Sequence, residues 1–81
     1  MNDVRKWIIN WFVKNGNMNS EEVESKFDCN YIETGMIDSF GFIQLVADIE
    51  EQLEITLTDD DFGNDKIFVI SDLVQIIQDR M

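Results

Sequence analysis

The apolar residues of this chain repeat with the spacing of amphipathic α-helices, and the chain contains no proline to interrupt them. In residues 3–14 they fall at positions i, i+3, i+4, i+7 and i+8, which share one helix face: Val4, Trp7, Ile8, Trp11 and Phe12. Asn2 or Asp3 can cap this helix. Residues 39–54 and 72–80 carry similar apolar faces. These patterns predict three helices that each pack through one face.

Two short helices are predicted in the connections between these segments. Asn19 and Glu22 resemble a capping box, which predicts a short helix near residues 20–26 within the long connection of residues 16–38. The apolar residues of that connection indicate that it packs against the helices. In residues 58–62 a threonine precedes three aspartates. This order predicts a single helical turn, because acidic side chains stabilise a helix N-terminus.

The C-terminal part contains an apolar run at residues 67–70. It has no clear partner strand, so we interpret it as a buried extended link. Ser71 is then expected to cap a last helix over residues 72–80. The predicted fold class is all-α: a small four-helix bundle with a long first loop and a short third helix. A chain of 81 residues is expected to form a single domain, which spans residues 1–81.

The charge of the chain is strongly acidic. The formal net charge is −11, from seventeen acidic and six basic residues. From Phe27 to Asp65 there are eleven acidic residues and no basic one. Such a surface repels nucleic acid, whose binding depends on basic side chains, so no nucleic-acid partner is expected. It attracts basic proteins and speeds their approach, although charge alone favours the simpler interpretation of a soluble surface.

Residue content also disfavours several other classes of protein. No apolar run approaches the roughly 18 residues of a membrane span, so none is expected. A single cysteine, Cys29, cannot form an internal disulfide, which fits a reducing compartment and predicts a cytoplasmic protein. Without any histidine, a hydrolase or transferase would lack an evident general base. The aspartates that follow Thr58 do not match the ligand spacing of a calcium loop, so no metal site is predicted.

The helix predicted over residues 39–54 carries apolar residues on two sides. One arc predicts the core face: Phe42, Leu45, Val46, Ile49 and Leu53. The other side carries Phe40, Ile43 and Ala47 among acidic and amide side chains. Because the core face is already complete, we interpret these three residues as a docking strip, where apolar side chains bind a partner and neighbouring acids orient it. The alternative is that the long first loop covers the strip.

Ser39 lies at the N-terminal end of the docking strip. Its hydroxyl has two interpretations: a helix cap, for which serine is well suited, or a group that another enzyme modifies. The helix terminus offers unpaired backbone N–H groups and a positive dipole end, which suit a phosphate esterified to serine. With no histidine or lysine close in sequence, Ser39 lacks the means to act as an activated nucleophile. A modified Ser39 would therefore be a substrate of another enzyme.

With these features the chain resembles the acyl carrier proteins, whose signature is Asp-Ser-Leu at the start of the second helix of a four-helix bundle. The resemblance spans nearly the whole chain and lies in these segments: Gly35–Phe40, Leu45–Val46, Ile49–Glu51, Leu53–Ile55, Thr58–Phe62 and Ile70–Leu73. The triplet alone is a weak signal. The triplet, its spacing to the later segments, the acidic second helix and the chain length together are a strong one.

The resemblance implies that Ser39 carries a 4′-phosphopantetheine arm, whose thiol holds cargo as a thioester. It implies that Asp38 lies beside the bond being formed, where family members help the transferase to position its metal and cofactor. The side chains that partner enzymes would read are Phe40, Ile43, Gln44, Ala47, Glu50 and Glu51. The implied partners are a phosphopantetheinyl transferase, an adenylating enzyme or acyltransferase that loads the thiol, and downstream biosynthetic enzymes. The carrier is expected to be a monomer and not itself an enzyme.

Three residues depart from the usual pattern of the family. Phe40 replaces the usual leucine, Gly41 a common aspartate and Gln44 a common glutamate. The resulting Asp-Ser-Phe-Gly, with the downstream Leu-Glu-Ile and Asp61-Phe62 followed by Asp65, is more similar to D-alanyl carrier proteins of Gram-positive cell-wall modification. It is also similar to small stand-alone carriers of specialised biosynthesis. Gly41 lowers helix stability by up to about 1 kcal/mol relative to alanine, and we interpret it either as access for a partner's backbone or as a neutral substitution. The alternative function is an acidic helical interaction module, an adaptor or inhibitor without a cofactor.

Overall fold

The structure, a computed structural model, describes residues 3–81. Its helices are α1 (Asp3–Asn15), α2 (Ser20–Ser25), α3 (Ser39–Gln52), α4 (Asp59–Phe62) and α5 (Ile70–Arg80), with a 3₁₀ helix at Asp65–Phe68. The all-α prediction is confirmed: α1, α3, α4 and α5 are the helices of the expected bundle, and α2 lies within the long first loop. Asn2, a predicted cap of α1, lies outside the described residues. None of the helices in this part of the chain is long and apolar enough to cross a membrane.

The helices bury their apolar faces in a common core. Its fully buried side chains come from the long helices, the first loop and the 3₁₀ helix: Ile8, Phe12, Val23, Tyr31, Leu45, Ile49, Ile67, Ile70, Leu73 and Ile77. On α3, Leu45 and Ile49 are the buried centre of the predicted core face. The other residues of that face, Phe42, Val46 and Leu53, are partly buried and pack against the core. Helical periodicity therefore predicted the core face of α3 correctly.

The two tryptophans of α1 hold this helix against α3. The indole Nε1 of Trp11, which is buried, donates a hydrogen bond to Asp48 Oδ2 at 2.8 Å. One turn earlier, Trp7 Nε1 donates to Gln52 Oε1 at 3.2 Å. Trp7 is only partly buried, so of the two tryptophans that the helical pattern places on the core face, Trp11 lies in the core and Trp7 packs at its edge. Each indole therefore packs apolar surface while its N–H reaches a polar partner, as is usual for buried tryptophan.

Tyr31 fastens the first loop to the C-terminal half of the chain. Its ring is completely buried, and its hydroxyl donates a hydrogen bond to the Ile67 carbonyl at 2.6 Å. Its backbone N–H donates to the Phe68 carbonyl at 2.9 Å. Burial raises the pKa of the Tyr31 phenol, so the hydroxyl stays protonated and remains a donor. The prediction that the long connection packs against the helices is confirmed by these contacts.

The prediction of an extended link over residues 67–70 is wrong. Residues Asp65–Phe68 form a 3₁₀ helix, whose first turn is capped by the Asn64 side chain through a 3.0 Å hydrogen bond from the Lys66 N–H. Only Val69 is extended, and it pairs with Asn30 in an isolated antiparallel bridge. A run of four apolar residues is too short to separate the period of a strand from that of a helix.

Ser71 does not cap the last helix, contrary to the prediction. Helix α5 begins at Ile70, with Val69 in the cap position and no side-chain hydrogen bond there. The Ser71 N–H, which a cap would otherwise satisfy, donates to the Phe27 carbonyl of the first loop at 2.9 Å. Ile70 is completely buried in the core. The helix therefore starts two residues earlier than predicted, because tertiary contacts replace the local cap.

Asp61 joins the short helix α4 to α5. Its Oδ2 accepts hydrogen bonds from the Thr58 N–H at 2.8 Å and from the Thr58 hydroxyl at 3.1 Å. Its Oδ1 accepts from Arg80 Nη2 at 2.5 Å. The Thr58 backbone N–H lowers the pKa of the Asp61 carboxyl, with further lowering by the Thr58 hydroxyl and Arg80, while burial opposes the shift. The aspartate run therefore includes one structural carboxylate, which sequence reasoning did not distinguish from its neighbours.

We predict that Asp61→Asn destabilises the protein by about 1.5–3 kcal/mol near neutral pH, because it weakens hydrogen bonds to a charged acceptor. A lowered folded-state pKa stabilises the fold above the unfolded-state pKa, so this contribution should disappear as pH falls through the folded-state value. Urea unfolding of both proteins from neutral to strongly acidic pH measures the difference. The control is Asp60→Asn, which alters an exposed carboxylate of the same turn. A difference that stays constant into strong acid would contradict the assignment.

Candidate functional site

Asp38 is the cap of α3, and Ser39 is the first helical residue. The Asp38 backbone is extended, with φ −99° and ψ −172°, and its Oδ1 accepts a hydrogen bond from the Gly41 N–H at 2.8 Å. The Asp38 carbonyl accepts a hydrogen bond from the Phe42 N–H at 3.0 Å. The sequence left Ser39 open as either cap or modified group. The structure removes the first interpretation, because Asp38 already performs the capping.

The Ser39 side chain is exposed. Within residues 3–81, no group forms a hydrogen bond with its hydroxyl. Nothing in this part of the chain therefore acts as a base on Ser39, as an activated nucleophile would require. A free, exposed hydroxyl is instead suited to be the acceptor in a reaction that another enzyme catalyses.

The surroundings of Ser39 are compatible with a phosphodiester. The amides of Ser39 and Phe40 lie in the first turn of α3, where the helix itself provides no acceptor. The N-terminal end of a helix also carries partial positive charge, which favours an anionic group. The nearest carboxylate along the chain is that of Asp38, and it is engaged with the Gly41 N–H. A phosphate on Ser39 would therefore meet two free donors, and these residues fit such a group.

The docking strip is open to solvent. Phe40 is 82% exposed and Ile43 is 64% exposed, and Ala47 is exposed between them and the helix end. The alternative that the long first loop covers the strip is therefore wrong. Two large apolar side chains this exposed on one helix face are typical of an interaction surface. The part that these residues play in binding partners remains a prediction.

The polar residues predicted beside the strip differ in their contacts. Glu51 is exposed, while Gln44 Nε2 donates to Asp48 Oδ1 at 2.8 Å. Glu50 is partly buried, and its Oε2 accepts a hydrogen bond from the Leu57 N–H at 3.0 Å. Glu50 therefore supports the connection after α3, which the sequence pattern did not indicate. Glu51 is the predicted acidic residue of this group that is free to meet a partner.

A groove of about 640 Å³ opens beside Ser39, on the side of the first loop. It was not predicted, because its walls come from three separate segments of the chain. They are the end of α1 with the following turn, the loop before α3, and the first turn of α3: Asn15, Gly16, Asn17, Ile32, Gly35, Met36, Ile37, Asp38, Ser39 and Gly41. Gly16 and Asn17 belong to the turn that follows α1.

Gly41 has a local structural reason. A Cβ at this position would lie 2.9 Å from the Ile37 Cβ and 3.5 Å from Asp38 Oδ1. Glycine therefore lets the loop before α3 pack closely against the first helical turn, next to the capping bond. This contact disfavours the interpretation of a neutral substitution, while access for a partner's backbone stays a prediction.

Residues 19–77 match the family described as phosphopantetheine attachment site. The match covers most of the chain, so the chain belongs to this family, and the resemblance to the acyl carrier proteins is confirmed. The family implies a covalently attached 4′-phosphopantetheine and hence a carrier protein that a phosphopantetheinyl transferase modifies and biosynthetic enzymes use. No curated protein shows significant similarity to the chain.

The part of the chain that the structure describes contains no candidate metal centre. Within residues 3–81, no cluster of three or more histidine, cysteine, aspartate or glutamate side chains is arranged to hold a metal ion. Cys29 is exposed and forms no disulfide.

We predict that Gly41→Ala destabilises the protein by about 1–3 kcal/mol, because the added methyl group overlaps Ile37 and overpacking outweighs the gain in helix propensity. Gly63→Ala is the matched control. A Cβ at Gly63 would lie 3.5 Å from its nearest neighbour, the Asp59 carbonyl oxygen, so stability should be unchanged or raised by about 0.4–1 kcal/mol. Urea unfolding measures both changes. Equal stabilisation by the two substitutions would contradict the proposed contact.

Proposed function

We propose that Ser39 is the residue that bears the 4′-phosphopantetheine, and that the chain delivers acyl or aminoacyl cargo to partner enzymes through the docking strip. The observation that supports this most is the capping of α3 by Asp38 Oδ1, which accepts from the Gly41 N–H at 2.8 Å. This bond leaves the neighbouring serine hydroxyl unpaired and exposed. When bound, the arm supplies a thiol on which cargo is held as a thioester.

The chain's own residues have distinct tasks in this proposal. Asp38 holds the first turn of α3 in place, and it lies next to the bond that the transferase forms. Phe40 and Ile43 provide apolar area for weak docking, and exposed acids such as Glu51 orient basic partners. A carrier must be released by each enzyme in turn. Docking through a few apolar contacts and screened charges meets that requirement, because such contacts dissociate rapidly.

The departures from the usual family pattern support a proposal about pathway. Gly41 is explained by its contact with Ile37, so this residue is a poor indicator of pathway. Phe40 is 82% exposed, so packing within the fold does not determine which residue stands there. Its identity can therefore depend on the partners that bind the strip. We propose a D-alanyl carrier or a stand-alone carrier of specialised biosynthesis, loaded by an adenylating enzyme or acyltransferase, rather than the carrier of fatty-acid synthesis.

The attachment site is tested by intact mass. The apo protein is incubated with coenzyme A, Mg²⁺ and a broad-specificity phosphopantetheinyl transferase, and we expect one phosphopantetheine to be added. Ser39→Ala should abolish the addition. Ser20→Ala is the matched control, because Ser20 is also an exposed serine that follows an Asx cap at the start of a helix. This variant should be modified like the wild type.

Failure of the wild-type protein to gain mass, while a known carrier is modified in parallel, would favour the alternative of an acidic adaptor or inhibitor. Addition that persists in Ser39→Ala would place the attachment at another residue. In that second case, peptide mapping of the wild-type product identifies the residue that carries the arm.

The docking strip is tested by the kinetics of the same modification. We expect the double variant Phe40→Ser, Ile43→Ser to lower kcat/KM by about tenfold or more, because it removes apolar area that the transferase would bury. Both residues are largely exposed, so thermal stability should change little. Met81→Ser is the control, since Met81 is 71% exposed and lies off the strip. An unchanged kcat/KM in the double variant would remove the strip from transferase recognition.

A further inference from the structure

The groove beside Ser39 is a candidate binding site that is separate from the docking strip. Its volume of about 640 Å³ lies within the range of roughly 300–1,000 Å³ typical of small-molecule sites. Ser39 itself forms part of its wall. Any flexible group attached to the Ser39 hydroxyl therefore begins at the edge of this groove.

The lining of the groove combines an apolar floor with amide groups. Met36 is 4% exposed and Ile37 is 9% exposed, so both present a small apolar area. The Asn15 Nδ2 donates to the Trp11 carbonyl at 3.0 Å, which leaves its oxygen as an acceptor. The Asn17 side chain is exposed, and no residue of the described range 3–81 forms a hydrogen bond with it.

The loop wall also offers backbone acceptors. The carbonyls of residues 35–37 accept no hydrogen bond from any residue of the described range. The N–H groups of the same residues are all used, since that of Gly35 donates to the Ile32 carbonyl at 3.1 Å and those of Met36 and Ile37 donate to the Tyr31 carbonyl at 3.0 Å and 3.4 Å. This part of the lining therefore has unpaired backbone acceptors and no unpaired N–H donor, and two of its residues are hydrogen-bonded to the buried Tyr31.

Gly16 lies in the opposite wall of the groove, the turn after α1, where this turn comes close to the loop before α3. A Cβ at Gly16 would lie 2.7 Å from the Phe12 carbonyl oxygen and 3.3 Å from the Met36 carbonyl oxygen. The closest of these contacts is with the last turn of α1 itself, so glycine is needed there, and the absence of a Cβ also lets the turn after α1 run close beside the loop. Close backbone packing therefore fixes the distance between these two walls of the groove at Gly16 and Met36.

We propose that this groove is the resting site of the pantetheine portion of the arm on Ser39. The inference rests on the proposed attachment at Ser39. Pantetheine consists of amides, a hydroxyl and a geminal pair of methyl groups. Its amide N–H groups match the free carbonyls of residues 35–37, its carbonyls match the Asn17 amide, and its methyl groups match the floor of Met36 and Ile37.

Because the arm is covalently attached, weak contacts are enough to keep it in the groove for part of the time. A short flexible linker gives an effective concentration of the order of millimolar, so a site with an intrinsic Kd of about 1 mM would be about half occupied. A resting population of that size weakens capture of the arm by a partner enzyme only about twofold. The arm then rests on the loop side of Ser39, and the docking strip on α3 stays open to partners.

The experiment compares amide ¹⁵N–¹H spectra of the apo and fully modified protein, with modification verified by intact mass. We expect shift changes at residues 15–17 and 35–37 as well as around Ser39, and nuclear Overhauser effects between the pantetheine methyl groups and Met36 or Ile37. In Asn17→Gly the changes at residues 35–37 should fall by about half or more. Glycine is compatible with the backbone there, because Asn17 has φ +56°.

Asn10→Ala is the control variant, because Asn10 is an exposed asparagine of α1 outside the groove, and its shift changes should equal those of the wild type. Shift changes confined to residues 38–41 in a protein that carries the arm would overturn the groove assignment and leave the proposed function intact. Absence of any added mass would overturn both. Equal shift changes in Asn17→Gly and wild type would remove Asn17 from the site.

Discussion

The hydrogen bond from the Gly41 N–H to Asp38 Oδ1, at 2.8 Å, is the interaction on which the site depends. It satisfies a donor at the start of α3 with the side chain before Ser39, so the serine is not needed as a cap. It also brings the loop against the first helical turn so closely that a Cβ at Gly41 would lie 2.9 Å from Ile37. This capping bond therefore explains both the accessible hydroxyl of Ser39 and the glycine at position 41.

Ser39 lies where two different surfaces meet. On the outer side of α3, Phe40 and Ile43 form an exposed apolar strip with acidic neighbours. On the loop side, the groove is lined by asparagine and glycine residues together with apolar residues such as Met36 and Ile37. The strip suits a protein partner, since apolar contact with charged surroundings gives weak and oriented docking. The groove suits a tethered small molecule, so recognition of enzymes and storage of the arm need not compete for the same residues.

Helices whose apolar residues recur with a constant period over several turns were predictable from the sequence. The core faces of α1 and α3 and the short helix after Asn19 follow from spacing and capping residues alone, because neighbours three and four apart share a helix face. Predictions that relied on a single residue or a short run were less secure. Ser71 does not cap α5, since the Phe27 carbonyl takes its N–H, and residues 67–70 do not form an extended link, since Asn64 starts a 3₁₀ helix.

The sequence by itself determined the all-α class, the core faces, the acidic surface and the position of Ser39 at the start of a helix, because these follow from local periodicity, composition and motif. The tertiary structure alone decided that Asp38 is the cap, that the strip is uncovered, that Asp61 pairs with Arg80, and that a groove opens beside the serine. Each of these depends on which distant segments meet. Such contacts arise from packing of the whole chain, and spacing along the sequence does not encode them.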